Sequence, residues 1–251
     1  MSVRLDRPEP HIALITVDNP ARRNALGPQE FVQLAQCWDR LADDETVRCV
    51  VITGAGDKAF CSGASLDADF SAIEALDDLI DRALRKTRYF PRPVVAAVNG
   101  HCVAGGFELM LSTDIRVLSQ DAKLGLPEVH WGIVPSGGGA MKLIDQIGHA
   151  RAMQLMLTAD LIGADEALRF GLVNRVLPQS EVLGAAFDLA RRIAGNSPMA
   201  VARTKQAALA RRAAQWQAGE ADERALVATM RGTEQERIGR RAFLDKQAPI
   251  Y

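Results

Sequence analysis

The hydrophobic and polar positions of the chain follow two alternating periods. Short apolar runs bounded by turn residues are typical of strands, and apolar residues three and four apart are typical of helices. The predicted strands are residues 12–17, 49–53, 94–98, 115–118 and 172–177. The predicted helices are residues 28–42, 71–89, 105–111, 136–147, 151–157 and 165–170. The pattern therefore predicts an α/β core, with residues 55–69 as a loop rich in small side chains.

The strand pattern stops at Pro178. Beyond it, the alanine- and arginine-rich stretches at residues 180–218 and 220–244 have helical spacing. The sequence thus predicts a helical C-terminal part after the α/β core.

Charge and cysteine content exclude several classes of function. The chain has 30 Lys and Arg against 31 Asp and Glu, so its net charge of -1 predicts no nucleic-acid partner. The cysteines form no CxxC pair, which predicts free thiols in a reducing cytoplasm and no metal site. Residues 1–10 lack the apolar core of a secretory signal, and no apolar run approaches the roughly 20 residues of a membrane span. We expect a cytoplasmic protein without a membrane partner.

A glycine pair after an apolar strand is the first candidate for chemistry. Gly105 and Gly106 precede Glu108 at the predicted start of a helix, where unpaired backbone N–H groups and the helix dipole favour an oxyanion. The same residues also fit a purely structural role, in which the glycines permit close packing and Glu108 complements the dipole.

A second carboxylate, Glu128, follows Pro127 in a turn flanked by apolar residues, where desolvation would raise its pKa. A surface position after a turn is the alternative. Residues 60–66 form a small-residue loop suited to offering backbone N–H groups to a carbonyl oxygen. Residues 131–139 are glycine-rich but lack the lysine and hydroxyl of a P-loop, so we interpret them as a tight turn in a pocket wall.

Taken in order, these segments resemble the crotonase superfamily, the enoyl-CoA hydratase/isomerase family, from about residue 10 to the C-terminus. The similar motifs are residues 60–64, 93–100, 104–109, 125–128, 132–135, 164–167 and 171–173. The resemblance implies an α/β fold, a crotonase-like spiral of ββα units with a helical C-terminal trimerisation region. It divides the chain into a core at residues 1–195 and a helical region at 196–251, and it implies a homotrimer or homohexamer.

The resemblance also implies an acyl-CoA thioester substrate whose carbonyl accepts from the N–H groups of Ala64 and Gly105. Glu108 and Glu128 would then be the acid/base pair for syn addition of water to a trans-2-enoyl-CoA. Coenzyme A is part of this substrate, so no separate cofactor is implied. The implied contacts with substrate or CoA are Arg23, Ala59, Phe60, Ser62, Ser65, Leu66, Gly106, Trp131, Pro135, Phe243 and Lys246.

Two departures from the family pattern lie beside the implied acyl pocket. Ser65 stands where an aspartate is frequent, and residues 136–139 vary the usual Gly-x-Gly-Gly turn. Another crotonase-type reaction on acyl-CoA is the alternative to hydration: isomerisation, hydrolysis, dehalogenation or C–C cleavage. A silent binder of acyl-CoA or RNA is the third hypothesis, against which the two glutamates argue. Lys246 has the alternative role of an ordinary exposed lysine at a helix end.

Overall fold

The strands of the chain belong to two sheets in the computed structural model, which describes residues 2–251. The six-stranded sheet contains β1 (Val3–Glu9), β2 (Ile12–Val17), β3 (Cys49–Gly54), β5 (Val94–Val98), β7 (Ile115–Ser119) and β10 (Arg175–Leu177). The four-stranded sheet contains β4 (Ala59–Cys61), β6 (His101–Val103), β8 (Lys123–Gly125) and β9 (Ile162–Gly163).

Helices follow most of these strands. They are α1 (Pro28–Asp43), α2 (Leu76–Leu84), α3 (Gly105–Leu111), α4 (Gly139–Ile147), α5 (His149–Thr158), α6 (Ala164–Arg169), α7 (Gln179–Ala194), α8 (Pro198–Met230) and α9 (Glu234–Leu244). Short 3-10 turns occupy Pro20–Arg22 and Glu128–Trp131.

Both sheets are mainly parallel. In the order β1-β2-β3-β5-β7-β10, only the β1–β2 pair is antiparallel. In the order β4-β6-β8-β9, only the β8–β9 pair is antiparallel. Successive strands along the chain alternate between the sheets from β3 to β8, so segments that are far apart in sequence become neighbours.

Strand β5 explains why the apolar runs are continuous. Val94, Ala96 and Val98 point into the core between the two sheets, whereas Val95 and Ala97 point into a second core under α7. Successive side chains of a strand face opposite sides, so a strand covered on both faces needs apolar residues at every position.

Several predicted boundaries are wrong. The loop predicted at 55–69 contains β4, and the helix predicted at 71–89 is only α2, which ends where Arg85 adopts a left-handed conformation with φ of 57°. The strand predicted at 172–177 is only β10, and the helix predicted at 136–147 begins at Gly139.

The C-terminal helices break elsewhere than predicted. Helix α8 continues through Gly219, and the chain instead breaks between α7 and α8, where Ser197 accepts from the Ala200 N–H and Pro198 occupies the first turn. Ser at the N-cap and Pro at the first helical position both favour a helix start, whereas one Gly inside a long helix costs only about 1 kcal/mol. The domain boundary at residue 195 stays a prediction.

The mixed α/β character and the helical C-terminal part are confirmed. Among residues 2–251, no helix is long and apolar enough to cross a membrane.

Candidate active site

Three neighbouring strands deliver the candidate residues to one edge of the four-stranded sheet. Strands β4, β6 and β8 run parallel and side by side, and Ala64, α3 and Glu128 each follow the carboxyl end of one of them. The carboxyl ends of adjacent parallel strands lie together, and ligands bind there in many α/β proteins. The topology therefore gathers both predicted oxyanion segments and both glutamates.

Two backbone N–H groups face the same space at this edge. Gly63 has a φ of +84°, and a Cβ atom there would lie only 2.8 Å from the Gly105 backbone N. Leu26 donates to the Gly63 carbonyl and Ser65 donates to the Leu26 carbonyl, which leaves the Ala64 N–H between them without a backbone acceptor. The Gly105 N–H begins α3 and has no acceptor inside the helix. Two close, unused donors can together stabilise a developing oxyanion.

A strained residue precedes the second donor. Ala104, before Gly105, has a φ of 51° with a ψ of -132°. Non-glycine residues rarely occupy this region, at a cost of about 1–3 kcal/mol, and such strain is frequent at functional sites. The turn re-aims the chain from β6 into α3 and thereby sets the direction of the Gly105 N–H.

Glu108 is held by a glycine turn. Its side chain is only 3% exposed, and its Oε1 accepts from the Gly137 N–H at 2.7 Å and from the Gly139 N–H at 2.9 Å. Burial raises the pKa of Glu108, and the two backbone donors oppose part of that rise because they stabilise the carboxylate. A carboxylate with two charge-assisted hydrogen bonds is fixed in position and can still ionise.

Glu128 lies in a different environment. It is 8% exposed, and within the described chain its Oε2 is buried without a hydrogen-bond partner. Burial, together with the charge of Glu108, raises the pKa of Glu128 well above its usual value. Two backbone donors stabilise the carboxylate form of Glu108, whereas Glu128 Oε2 has no donor and is available to a water molecule or a substrate.

Helix α8 contributes charge behind the glycine turn. Lys86 packs against Gly138, and its Nζ lies 3.3 Å from Glu223 Oε1 and 3.6 Å from Glu220 Oε1. Lys86 lowers the pKa of Glu108, whereas the charge of Glu223 raises it. The C-terminal region thus influences the protonation of a residue in the core.

A second lysine, Lys142, is buried against the end of α3. Lys142 Nζ donates to the Arg85 carbonyl and the Ser112 Oγ, both at 2.6 Å, and lies 5.2 Å from the Trp216 ring centre. Burial lowers the pKa of Lys142 to about 7. This lysine ties α4, the end of α3 and α8 together.

An apolar cavity of about 190 Å³ begins at the oxyanion segment. Ala64, Ser65 and Leu66 line it, as predicted for a substrate pocket, together with residues of α2, α8 and α9. Ser65 Oγ donates to Asp67 Oδ1 at 2.8 Å and accepts from Arg22 at 3.0 Å, so its hydroxyl braces the loop.

A separate cavity of about 230 Å³ contains Arg23 and Ala59. Lys58 and Asp57 also line it and were missed by the sequence analysis. The sequence pattern did not indicate these two residues, because Lys58 lies in a loop before a short strand that the pattern did not predict.

The other predicted contacts are dispersed. Phe60 is fully buried, and Gly106 packs so closely on β4 that a Cβ atom would lie 2.1 Å from the Cys61 carbonyl oxygen. The Trp131 and Phe243 rings meet edge to face at 5.1 Å where α9 covers the Glu128–Trp131 turn. The remaining predicted residues are the half-buried Ser62, the buried Pro135 and the exposed Lys246.

Gly137 and Gly139 are the main residues that sequence reasoning missed. The sequence pattern predicts only a pocket wall there, although three consecutive glycines before a helix indicate backbone N–H groups open to a nearby carboxylate. As to metals, residues 2–251 contain no group of three or more His, Cys, Asp or Glu side chains arranged to hold an ion.

Sequence and structure comparisons identify the family. Residues 7–251 match the family model described as enoyl-CoA hydratase/isomerase, so the chain belongs to the enoyl-CoA hydratase/isomerase family. This confirms the predicted resemblance and, with the structural neighbours, the crotonase-type fold.

Among its relatives is the short-chain-enoyl-CoA hydratase of Clostridium acetobutylicum, 38% identical over 79% of this chain and 78% of the relative. The 2,3-dehydroadipyl-CoA hydratase of Escherichia coli is 35% identical over 96% of this chain and 94% of its own length. The crystal structure of carnitinyl-CoA hydratase from Mycobacterium avium superimposes with a TM-score of 0.89 at 30% identity, covering 100% of this chain and 98% of that one.

Proposed function

We propose that this protein is an enoyl-CoA hydratase that adds water to a trans-2-enoyl-CoA thioester. The main observation behind this proposal is a pair of buried carboxyl groups in different environments. Glu108 accepts from two backbone donors, whereas Glu128 has an Oε2 without a hydrogen-bond partner. The family and the hydratases among its relatives support the same activity.

The thioester carbonyl accepts hydrogen bonds from the N–H groups of Ala64 and Gly105 in this proposal. When water adds to the β-carbon, negative charge develops on that oxygen as an enolate, and the two donors stabilise it. The loss of one such donor typically costs about 3 kcal/mol in the activation free energy.

The environments of the carboxyl groups assign their roles. Glu108, stabilised as a carboxylate, takes a proton from water as the water oxygen bonds to the β-carbon. Glu128, which keeps its proton, delivers it to the α-carbon as the enolate collapses. One water is consumed, and transfer of a proton from Glu108 back to Glu128 restores the starting state.

The two cavities divide the substrate between them. The cavity with Arg23 and Lys58 offers cations for the phosphates of coenzyme A, and the apolar cavity beside Ala64 takes the acyl group. The chemistry uses only carboxyl groups and backbone donors, so the proposal includes no separate cofactor. The proposal also keeps, as substrate or CoA contacts, Phe60, Ser62, Gly106, Trp131, Pro135, Phe243 and Lys246.

The test measures loss of enoyl thioester absorbance with crotonyl-CoA for the wild type, Glu108→Gln and Glu128→Gln. We expect hydration by the wild type and a loss of at least about 100-fold in each variant, since general acid–base catalysis contributes about that much or more. The wild-type pH profile should be bell-shaped, because Glu108 must be ionised and Glu128 protonated. Hydration at the wild-type rate by either variant would contradict the two-carboxyl mechanism.

Isomerisation of an enoyl-CoA is the second candidate, and it is the other reaction in the family description. An isomerase that shuttles one proton through Glu128 would survive Glu108→Gln, whereas a hydratase would not. Assaying both variants with a 3-enoyl-CoA separates the two reactions.

Assembly and location belong to the same proposal. We expect a trimer or hexamer, since Leu157, Met199 and Leu226 are at least two-thirds exposed and contacts between subunits would bury them. Light scattering should give three or six times 27.2 kDa. The four buried free thiols support a reducing compartment, the cytoplasm.

A further inference from the structure

The lining of the acyl cavity is mostly apolar but includes three charged residues. Phe70, Ile80, Val227 and Met230 are among its apolar lining, and its charged members come from the end of α8 and from α9. These are Arg231, Glu236 and Arg240.

Two of the three charges are already matched inside the protein. Arg231 makes an ion pair with Asp77 on α2, with Nη1 at 3.2 Å from Oδ2. Glu236 accepts from the Gly232 N–H and lies in the first turn of α9, where the helix dipole stabilises a negative charge.

Arg240 differs from both. Its Nη2 donates to the Ala68 carbonyl at 2.9 Å, and Ala68 itself lines the cavity. Glu236 stands one helical turn earlier but is turned toward Gly232, and within residues 2–251 no carboxylate lies within 4.0 Å of the Arg240 guanidinium. Asp69 interacts with the charge of Arg240 only at longer range, and its Oδ1 accepts a hydrogen bond from the Ser71 N–H.

A guanidinium has five N–H donors, and the bond to Ala68 uses one of them. The others can hold a carboxylate in the bidentate geometry that suits arginine. The cavity volume of about 190 Å³ exceeds the roughly 150 Å³ of an apolar cavity that holds the six carbons of benzene. An acyl chain of about six carbons thus fits in the cavity that Ala64 and Arg240 both line.

We propose that Arg240 selects acyl-CoA substrates whose acyl chain ends in a carboxylate, which it binds where it lines the cavity. This inference rests on the proposed function for the site of the thioester. It assigns Arg240 to specificity, outside the acid/base chemistry.

The test compares two six-carbon trans-2-enoyl-CoA substrates that differ only at C6, where one has a methyl group and the other a carboxylate. The wild type should have the higher kcat/KM for the carboxylate substrate. Arg240→Gln should lower that value about 10-fold or more, the usual effect of losing a hydrogen bond to a charged group, and change the methyl substrate less than about 2-fold. Arg240→Lys should keep part of the preference, because the charge remains but the bidentate geometry is lost.

Arg241→Gln is the matched control, because Arg241 is an exposed arginine of the same helix outside the cavity lining. It removes the same charge and should leave both substrates unchanged. An equal loss for both substrates in Arg240→Gln would overturn the proposal and make Arg240 a contact of coenzyme A. Equal kcat/KM for the two substrates in the wild type would also overturn it.

Calorimetric binding of the saturated analogues separates this inference from the hydratase proposal. The wild type should bind the thioester of the six-carbon dicarboxylic acid more tightly than hexanoyl-CoA, and Arg240→Gln should remove the difference. If the wild type hydrates neither enoyl substrate but retains this binding preference, the hydratase proposal fails and the role of Arg240 stands. If hydration occurs without any binding preference, the role of Arg240 fails alone.

Discussion

Replacement of Gly137 by alanine is a direct test of how Glu108 is held. A Cβ atom at Gly137 would lie 2.4 Å from Glu108 Oε2 and 2.5 Å from Leu84 Cδ1. Ordinary contacts are about 3.5 Å or longer, so the carboxyl group must retreat by roughly 1 Å. That retreat lengthens the hydrogen bond from the Gly137 N–H, which is 2.7 Å in the wild type.

Two magnitudes follow from this displacement. A 1 Å misplacement near the reacting atoms can cost about 100-fold in rate. Loss of a hydrogen bond to a charged group costs about 1.5–3 kcal/mol, which corresponds to a rise of about one to two units in the pKa of Glu108. In the proposed mechanism Glu108 must be ionised to act as the base. The acidic limb of the pH profile of kcat should therefore move to higher pH by that amount.

The assay is the pH dependence of kcat for crotonyl-CoA hydration, with thermal unfolding measured beside it. Gly184→Ala is the control, because a Cβ atom there meets nothing within 4 Å. It should leave the pH profile unchanged and, within α7, slightly raise the Tm. If Gly137→Ala folds, keeps the wild-type kcat and shows no shift in the acidic limb of its pH profile, the proposed role of the glycine turn in positioning Glu108 is refuted.

Three other substitutions probe the same region. Burial raises the pKa of Glu108 from 4.5 to about 7, so the wild type loses stability as the pH rises through that range. The Tm of Glu108→Gln should therefore rise relative to that of the wild type between these pH values, and a constant difference in Tm would contradict this. Burial lowers the pKa of Lys142 from 10.5 to about 7, so the Tm of the wild type should rise relative to that of Lys142→Met as the pH rises from about 7 to 10.5. A constant difference in Tm over this pH range would contradict the burial of the amine. Gly106→Ala places a Cβ atom 2.1 Å from the Cys61 carbonyl oxygen and should lower the unfolding free energy by about 1–3 kcal/mol; an unchanged urea midpoint would rule out that close approach.

Local patterns were sufficient where an element depends on its own residues. The strand at 94–98 and the helix at 105–111 are at the predicted positions, because an unbroken apolar run and a glycine pair before a helical pattern are both local signals. Strand β4 was missed because its three residues are too few for a period to show, and only pairing with β6 stabilises them.

The candidate site divides in the same way. The sequence by itself determined which residues could do chemistry, since Glu108 after a glycine pair and Glu128 after a proline turn are local features. Only the tertiary structure decided their environments, because strands β4, β6 and β8 had to become neighbours first. The two donors to Glu108 come from residues 29 and 31 positions away, and Arg240 reaches the cavity beside Ala64 from helix α9 near the C-terminus. Burial, pKa and cavity shape depend on such distant contacts, so no pattern along the chain could contain them.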